Sequence, residues 1–300
     1  MVGNSGLKFG AILTAVVLKR VAVLKLKQGT RVLDLNQPRV MGVLNVTPDS
    51  FSDGGQWQSL DAALYAVAEM VAAGVDIIDV GGESTRPGAD PVTVQQELDR
   101  VVPVIAAIRE RFDHWVSVDT STPEVMREAV AAGADMINDV RALQREGALS
   151  AAAECRVPVG LMHMLGQPKT MQQEPNYENV VREVSEFLQQ RCAAAVAAGV
   201  AQEHLFLDPG FGFGKTLTHN LQLLRALDQI CAMGYPVLVG LSRKSMLGEI
   251  TGKPVSERLA ASLSAALYAV RQGAVMVRVH DVAATVDALK VWRCLDEYGN

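Results

Sequence analysis

Cysteine is scarce in this chain, and the little there is does not cluster. Cys155, Cys192, Cys231 and Cys294 lie far apart with no C-x-x-C among them. That spacing signals neither a disulfide framework nor a zinc site. Such thiols suit a reducing compartment, and a cytoplasmic protein is expected. A basic excess is missing as well. Against 33 Asp and Glu stand 28 Lys and Arg, for a net charge of −5. This balance argues against a nucleic-acid partner, which calls for a basic face. It leaves room for an anionic substrate held by a few local cations. The apolar run at residues 9–18, FGAILTAVVL, is about half of what a membrane span needs. It also lacks the basic start and small-residue cleavage site of a secretory signal, so no membrane partner is expected. A nucleotide loop is absent too. DPGFGFGKT resembles one, but Walker A needs glycine where Pro209 stands, and G-x-G-x-x-G needs it where Lys215 stands.

What the chain does have is repetition. Eight times a short apolar run ends in a polar residue or glycine, and a helical stretch follows. The runs fall at about 39–45, 76–81, 115–119, 135–138, 157–162, 204–208, 236–240 and 275–280. They are rich in Val and Ile and nearly continuous in apolar character, as parallel strands buried on both faces are. Between them apolar residues recur at three- and four-residue spacing. Leu60, Leu64, Val67 and Val71 mark one helix, Val94 to Ile108 the next, and Leu221, Leu224, Leu227 and Ile230 the sixth. Gly74, Gly133, Gly199, Gly234 and Gly273 sit where helices should end. Ser121-Thr122-Pro123 offers a hydroxyl cap and a first-turn proline. Eight units over most of the chain favour a closed (β/α)8 TIM barrel over its rival, an open doubly wound sheet. Residues 23–300 are expected to form this single α/β domain. Its entry is a β-hairpin around Gln28-Gly29-Thr30 that plugs the bottom of the barrel. Residues 1–22 read as a disordered or loosely helical extension that the barrel does not need.

In such a barrel the loops after the strands converge on one face, and the chemistry is built there. Asp119, Asn138 and Asp208 each end a different strand, and Lys244 follows a fourth. A strand-end Asp is often only a helix cap, but three such residues with a lysine form a recognition set. A carboxylate accepts two parallel hydrogen bonds from an amino-pyrimidinone edge, Lys donates to a ring carbonyl, and Asn does both. That chemistry fits a pterin or a guanine-like ring. Arg278 and His280 alternate on the last strand, so both are expected to face the interior beside the Ser242-Arg243-Lys244 loop. A buried cation needs an anion to meet it, and phosphate binding by the last two loops is a habit of this fold. Asn45, ending the first strand, can hold a hydrated Mg2+ that takes its other ligands from phosphate oxygens and water. Phe211 and Phe213 read either as core or as a face laid on a planar substrate, and His163 either as packing or as pocket wall. The loops NVTPDSFSDGGQWQ and GGESTRPGADPVT are long enough to act as lids.

At these residues the chain resembles the dihydropteroate synthase family of folate biosynthesis. The likeness runs from about residue 24 to residue 295. It is dense in MGVLNVTPDSFSDGG (41–55), IDVGGESTRPGA (78–89), VSVDTS (116–121), MINDVRAL (136–143), LMHMLGQPKTMQ (161–172), LDPGFGFGKTLTHN (207–220), GLSRKSMLG (240–248) and VRVHDV (277–282). The resemblance implies a (β/α)8 barrel, a homodimer and a target of sulfonamides. The implied reaction joins 6-hydroxymethyl-7,8-dihydropterin diphosphate to 4-aminobenzoate. It also implies that the pterin meets Asp119, Asn138, Asp208 and Lys244, and that diphosphate and Mg2+ meet Asn45, Arg278 and His280. Phe51, Thr85, Arg86, Pro87, Phe213 and Ser245 would frame the aminobenzoate. Two alternatives stand beside it. A pterin-barrel methyltetrahydrofolate methyltransferase would not need a diphosphate clamp. A non-catalytic pterin-binding paralogue would have lost loop residues such as Phe51, Thr85, Arg86 or Phe213, and all four are present.

Overall fold

The computed structural model describes residues 24–46, 56–84, 92–166 and 175–298. The extension 1–22 and the candidates Phe51, Thr85, Arg86 and Pro87 lie outside the described residues. The chain enters through an antiparallel pair, β1 (Lys25–Gln28) and β2 (Arg31–Asp34). Gln28 pairs with Arg31, so the turn has two residues, and Gly29 leads it at a φ of +54°. Eight parallel strands follow: β3 (Arg39–Asn45), β4 (Ile77–Gly81), β5 (Trp115–Asp119), β6 (Met136–Asp139), β7 (Val159–Met162), β8 (Leu205–Asp208), β9 (Leu238–Val239) and β10 (Met276–Val279). The sheet runs β8-β7-β6-β5-β4-β3-β10-β9, and a parallel bridge between Leu207 and Val237 closes it. The barrel expected from the eight repeats is therefore the one formed, and the open sheet is not.

Around it lie α1 (Gln56–Ala72), α2 (Val94–Arg111), α3 (Pro123–Ala131), α4 (Ala148–Cys155), α5 (Val180–Ala197), α6 (Leu217–Arg225), α7 (Leu227–Cys231), α8 (Ser245–Thr251), α9 (Leu259–Arg271) and α10 (Val282–Glu297). The five expected helix-ending glycines all adopt positive φ. Two local expectations need correction. The helical stretch 217–231 is broken at Ala226, so its inner face is Leu223, Leu224, Leu227 and Ile230, while Leu221 is exposed. Thr122 stands at the N-cap of α3 without capping it: its hydroxyl oxygen accepts from Arg145 Nη1 at 2.6 Å, and its hydroxyl donates to Glu97 Oε2 at 2.7 Å. No helix among the described residues is long and apolar enough to cross a membrane.

The core splits by strand parity, because successive side chains on a strand point to opposite faces. Val40, Ile78, Val80, Val116, Val118, Ile137, Leu161 and Val277 belong to the large outer cluster under the helices. Met41, Ile77, Trp115, Met136, Phe206, Leu238 and Met276 form a second cluster inside the barrel with Leu26, Leu33 and Leu35 of the hairpin segment. This second cluster comes from the starts of the strands. The hairpin thus closes the bottom with apolar side chains, as expected. Gly160 makes room there, since a Cβ at that position would collide with the ring of Phe206.

Candidate active site

Moving two residues along each strand from this apolar floor keeps the side chain inside and raises it by one layer. Asp79, Ser117, Asn138, Asp208 and Arg278 occupy those positions, and Asn45 and Asp119 come higher still. Apolar residues at strand starts and polar ones toward strand ends make one polar well over a dry floor. Asp79, Ser117, Asn138 and Asp208 are all buried.

Arg278 is the centre of the charge network. Its Nε donates to Asp79 Oδ2 at 2.6 Å and its Nη2 donates to Asp119 Oδ2 at 2.7 Å. Asn138 Nδ2 donates to the same Asp79 oxygen at 3.4 Å. Burial disfavours the charge on Arg278, but Asp79 and Asp119 more than offset it and its pKa rises. Burial pushes the Asp119 carboxyl up to about 7. Arg278 opposes that rise, while the negative charges of Asp79, Asp139 and Glu97 add to it. Asp208 is also raised by burial, and its Oδ1 accepts from the Gly210 N–H at 2.7 Å. Burial lowers Lys244 to about 8 against the pull of Asp208. Its Nζ stands 4.2 Å from the ring centroid of Phe213, a cation–π contact. The structure thus gathers Asp119, Asn138, Asp208, Phe213, Lys244 and Arg278 around one well. Asn45 ends β3 half-buried at the mouth, and Ser245 is exposed at the start of α8.

Four residues refine the reading of the sequence, by correcting an expectation or deciding between open ones. His280 lies beyond the end of β10 and is exposed, so it belongs to the rim and not to the interior. Its Nδ1 is 3.0 Å from Ser242 Oγ, and partial desolvation with Arg278 and Arg243 nearby lowers its pKa. Arg243 turns away to pair with Asp281, its Nε donating at 2.9 Å. Phe211 is core and is packed in the large outer cluster, which leaves Phe213 as the aromatic face of the well. His163 is packed against Phe187, its ring edge-on at 4.9 Å, and burial keeps it neutral.

Asp79 and Lys215 are residues to which sequence reasoning gives no role, although Asp79 is visible as a polar residue near a strand end. Asp79 interrupts an otherwise apolar strand at the interior parity, and that parity was the available signal. Lys215 attracts notice as a nucleotide-loop lysine, a role its spacing denies. It is buried, with Nζ 2.8 Å from the Gly210 carbonyl, 3.2 Å from that of Phe213 and 2.9 Å from His163 Nδ1. It therefore ties together the loop after β8, and burial lowers its pKa to about 7. A second, partly buried network holds Glu83, just after β4. Arg141 donates to both oxygens of Glu83, at 3.1 and 3.2 Å, and to Ser121 Oγ, which in turn donates to Asp139.

Known proteins resemble this chain in sequence and in fold. Residues 41–280 match the family described as pterin binding enzyme. The dihydropteroate synthase of Haemophilus influenzae is 56% identical over 270 residues, 90% of this chain and 98% of that protein. The crystal structure of Xanthomonas albilineans dihydropteroate synthase with 4-aminobenzoic acid superposes with a TM-score of 0.87 at 51% identity, covering 92% of this chain and 99% of that one. The same enzyme in complex with 7,8-dihydropteroate gives 0.83 at 49% identity, covering 91% and 98%. A polar well over a sealed floor defines a barrel enzyme for a flat, polar ring. The chain belongs to the pterin-binding enzyme family and, within it, to the dihydropteroate synthases.

Proposed function

We propose that this chain condenses 6-hydroxymethyl-7,8-dihydropterin diphosphate with 4-aminobenzoate, releasing 7,8-dihydropteroate and diphosphate. One observation carries the reading: the buried Asp119, Asn138 and Asp208 and the half-buried Lys244 and Arg278 converge on a single well above an apolar floor. Asp208, Asn138 and Lys244 bind the pterin edge, with donors and acceptors matched to its amino, ring N–H and carbonyl groups. The methylene C–O bond breaks with its electron pair leaving on diphosphate, and the cation left behind is conjugated with the ring. Asp119 in its charged form stabilises that cation. Arg278 and His280 receive the growing negative charge on the leaving group, which is electrostatic catalysis. The aniline nitrogen of aminobenzoate forms the new C–N bond and then loses its proton. It is a good nucleophile already and needs only placement, which Phe213 and Ser245 provide together with Phe51, Thr85, Arg86 and Pro87. The two long loops exclude the water that would otherwise capture the cation.

Mg2+ fits this site as a companion of the diphosphate. Asn45 supplies one neutral oxygen at the mouth, and no group of three or more His, Cys, Asp or Glu is placed to hold a metal among the described residues. That donor set suits an ion that takes most of its ligands from phosphate and water. Bound there, it neutralises charge on the departing diphosphate. The proposal extends to a cytoplasmic homodimer, supported by resemblance to the family. Sedimentation of the purified chain tests the dimer. The reaction is tested by mixing both substrates with Mg2+ and following diphosphate. Release that needs both substrates is the expected result, and no release would refute the reading.

A further inference from the structure

Asp79 has no role in the chemistry above, yet it is fully buried at the centre of the barrel. Ile77, two residues earlier on β4, is part of the apolar floor, and Gly81, two residues later, lies against Asp119. Asp79 therefore sits one layer beneath Asp119. Arg278 reaches both, but with different nitrogens: Nε goes down to Asp79 and Nη2 goes up to Asp119. Nε–H and Nη2–H form one side of the guanidinium fork. A single carboxylate ordinarily takes that side whole, as a bidentate pair. Here it is divided between two carboxylates. The division has two effects among the described residues. Arg278 Nη1 has no protein partner, and Asp119 spends only Oδ2 on the arginine.

We propose that Asp79 is a positioning residue which splits the Arg278 fork, so that Asp119 and the arginine's remaining nitrogen stay available to substrate. With Asp79 removed, Arg278 closes on Asp119 as a bidentate pair. The carboxylate meant for the pterin cation and the cation meant for diphosphate then neutralise each other. Shape alone does not account for Asp79, since a buried carboxylate is costly wherever an apolar residue of similar size would serve. Among the described residues its Oδ1 and the neighbouring Ser117 Oγ have no hydrogen-bond partner, which makes the position more costly still. Ser117 pairs with Asp79 in register on β5. The fold gains little from the acid, and the division of the fork is what it provides.

This inference rests on the proposed reaction, and the test separates the two. Parent protein, Asp79→Asn, Arg278→Ala and the double variant are compared in kcat, KM for aminobenzoate, affinity for inorganic diphosphate with Mg2+, and melting temperature. If the parent releases no diphosphate, the reaction is wrong. If it does, Asp79→Asn should lower kcat roughly 10- to 100-fold, because a neutral amide oxygen holds the Arg278 Nε less firmly than the carboxylate does. Affinity for diphosphate should fall with it, while KM for aminobenzoate holds within about twofold, because only the Arg278 end is disturbed. In the Arg278→Ala background, Asp79→Asn should cost nothing further in diphosphate affinity. It should also raise the melting temperature, because it removes an unpaired buried charge. Parent-like kcat in folded Asp79→Asn overturns the inference, and so does an additive loss in the double variant. If Asp79→Asn alone does not fold, the double variant decides. A folded double variant supports the coupled pair, and an unfolded one assigns Asp79 to the fold alone.

Discussion

Asp119 meets two opposing demands. The proposed mechanism wants it charged beside a developing cation, whereas burial, with Asp79, Asp139 and Glu97 nearby, raises its pKa to about 7. Two consequences follow at this residue. Activity with both substrates should climb as pH rises through about 7, since kcat/KM reports the free enzyme's essential groups. Stability should move the other way. A carboxyl whose pKa is raised on folding binds its proton more tightly in the folded state. Its contribution is therefore fully present below the unfolded value of 3.8 and is lost as pH rises through about 7. Asp119→Asn, which mimics the neutral acid, should be inactive yet melt higher than the parent at pH 8, and the gap should narrow toward pH 4. A flat kcat/KM profile between pH 6 and 8, or an Asn variant less stable than the parent at pH 8, would contradict the assignment.

At the scale of elements, the loop after β8 is tightly constrained. Gly210 has a φ of +70°, and a Cβ there would run into the His163 carbonyl oxygen. Gly234 has a similar φ of +86° but nothing within 4 Å. Gly234→Ala should thus cost only the backbone term, roughly 1–2 kcal/mol. Gly210→Ala should cost clearly more and also loosen pterin binding, because the Gly210 N–H is held by Asp208. Denaturant titration of both variants checks the order, and equal losses would count against it. Elements of this kind differ in how far a sequence exposes them. The strands are readable because the switch from apolar run to polar end is local, and the helix-ending glycines are readable for the same reason. Thr122 misleads because Arg145 and Glu97, 23 and 25 residues away in sequence, take the two sides of its hydroxyl. Arg243 misleads because Asp281 turns it out of the well. Asp79 is hidden because its partner Arg278 lies 199 residues further along the chain. What fails to show in sequence is therefore side-chain pairing across the barrel, where closure decides the neighbours.

For the whole molecule, the hairpin is what turns a tube into a vessel. Leu26 is fully buried among floor residues from the starts of seven strands. Leu26→Ala should cost about 2–5 kcal/mol in denaturant titration, as cavity-forming changes in a packed core do. Removing residues 1–22 should change neither turnover nor melting temperature, since Leu26, Leu33 and Leu35 remain to seal the floor. A truncated protein that loses turnover, or a Leu26→Ala variant as stable as the parent, would show that the floor is sealed in some other way.

A vessel sealed at one end has a single doorway, and that imposes a timetable on its guests. The ligand that lies against Asp208 and Arg278 must arrive before the one that lies against Phe213, and it cannot leave past it. On the proposed reading aminobenzoate should be a lodger at the threshold, bound well only when the pterin diphosphate is already inside, and any analogue of it should act as a cork. Calorimetry should find aminobenzoate binding weak to the empty chain and strong with diphosphate and Mg2+ present. Equal affinity in both cases would mean that the well has a second way in. Analogues of aminobenzoate should in turn slow the escape of a bound pterin, so that the molecule's residence in the well is set by whatever stands in its doorway.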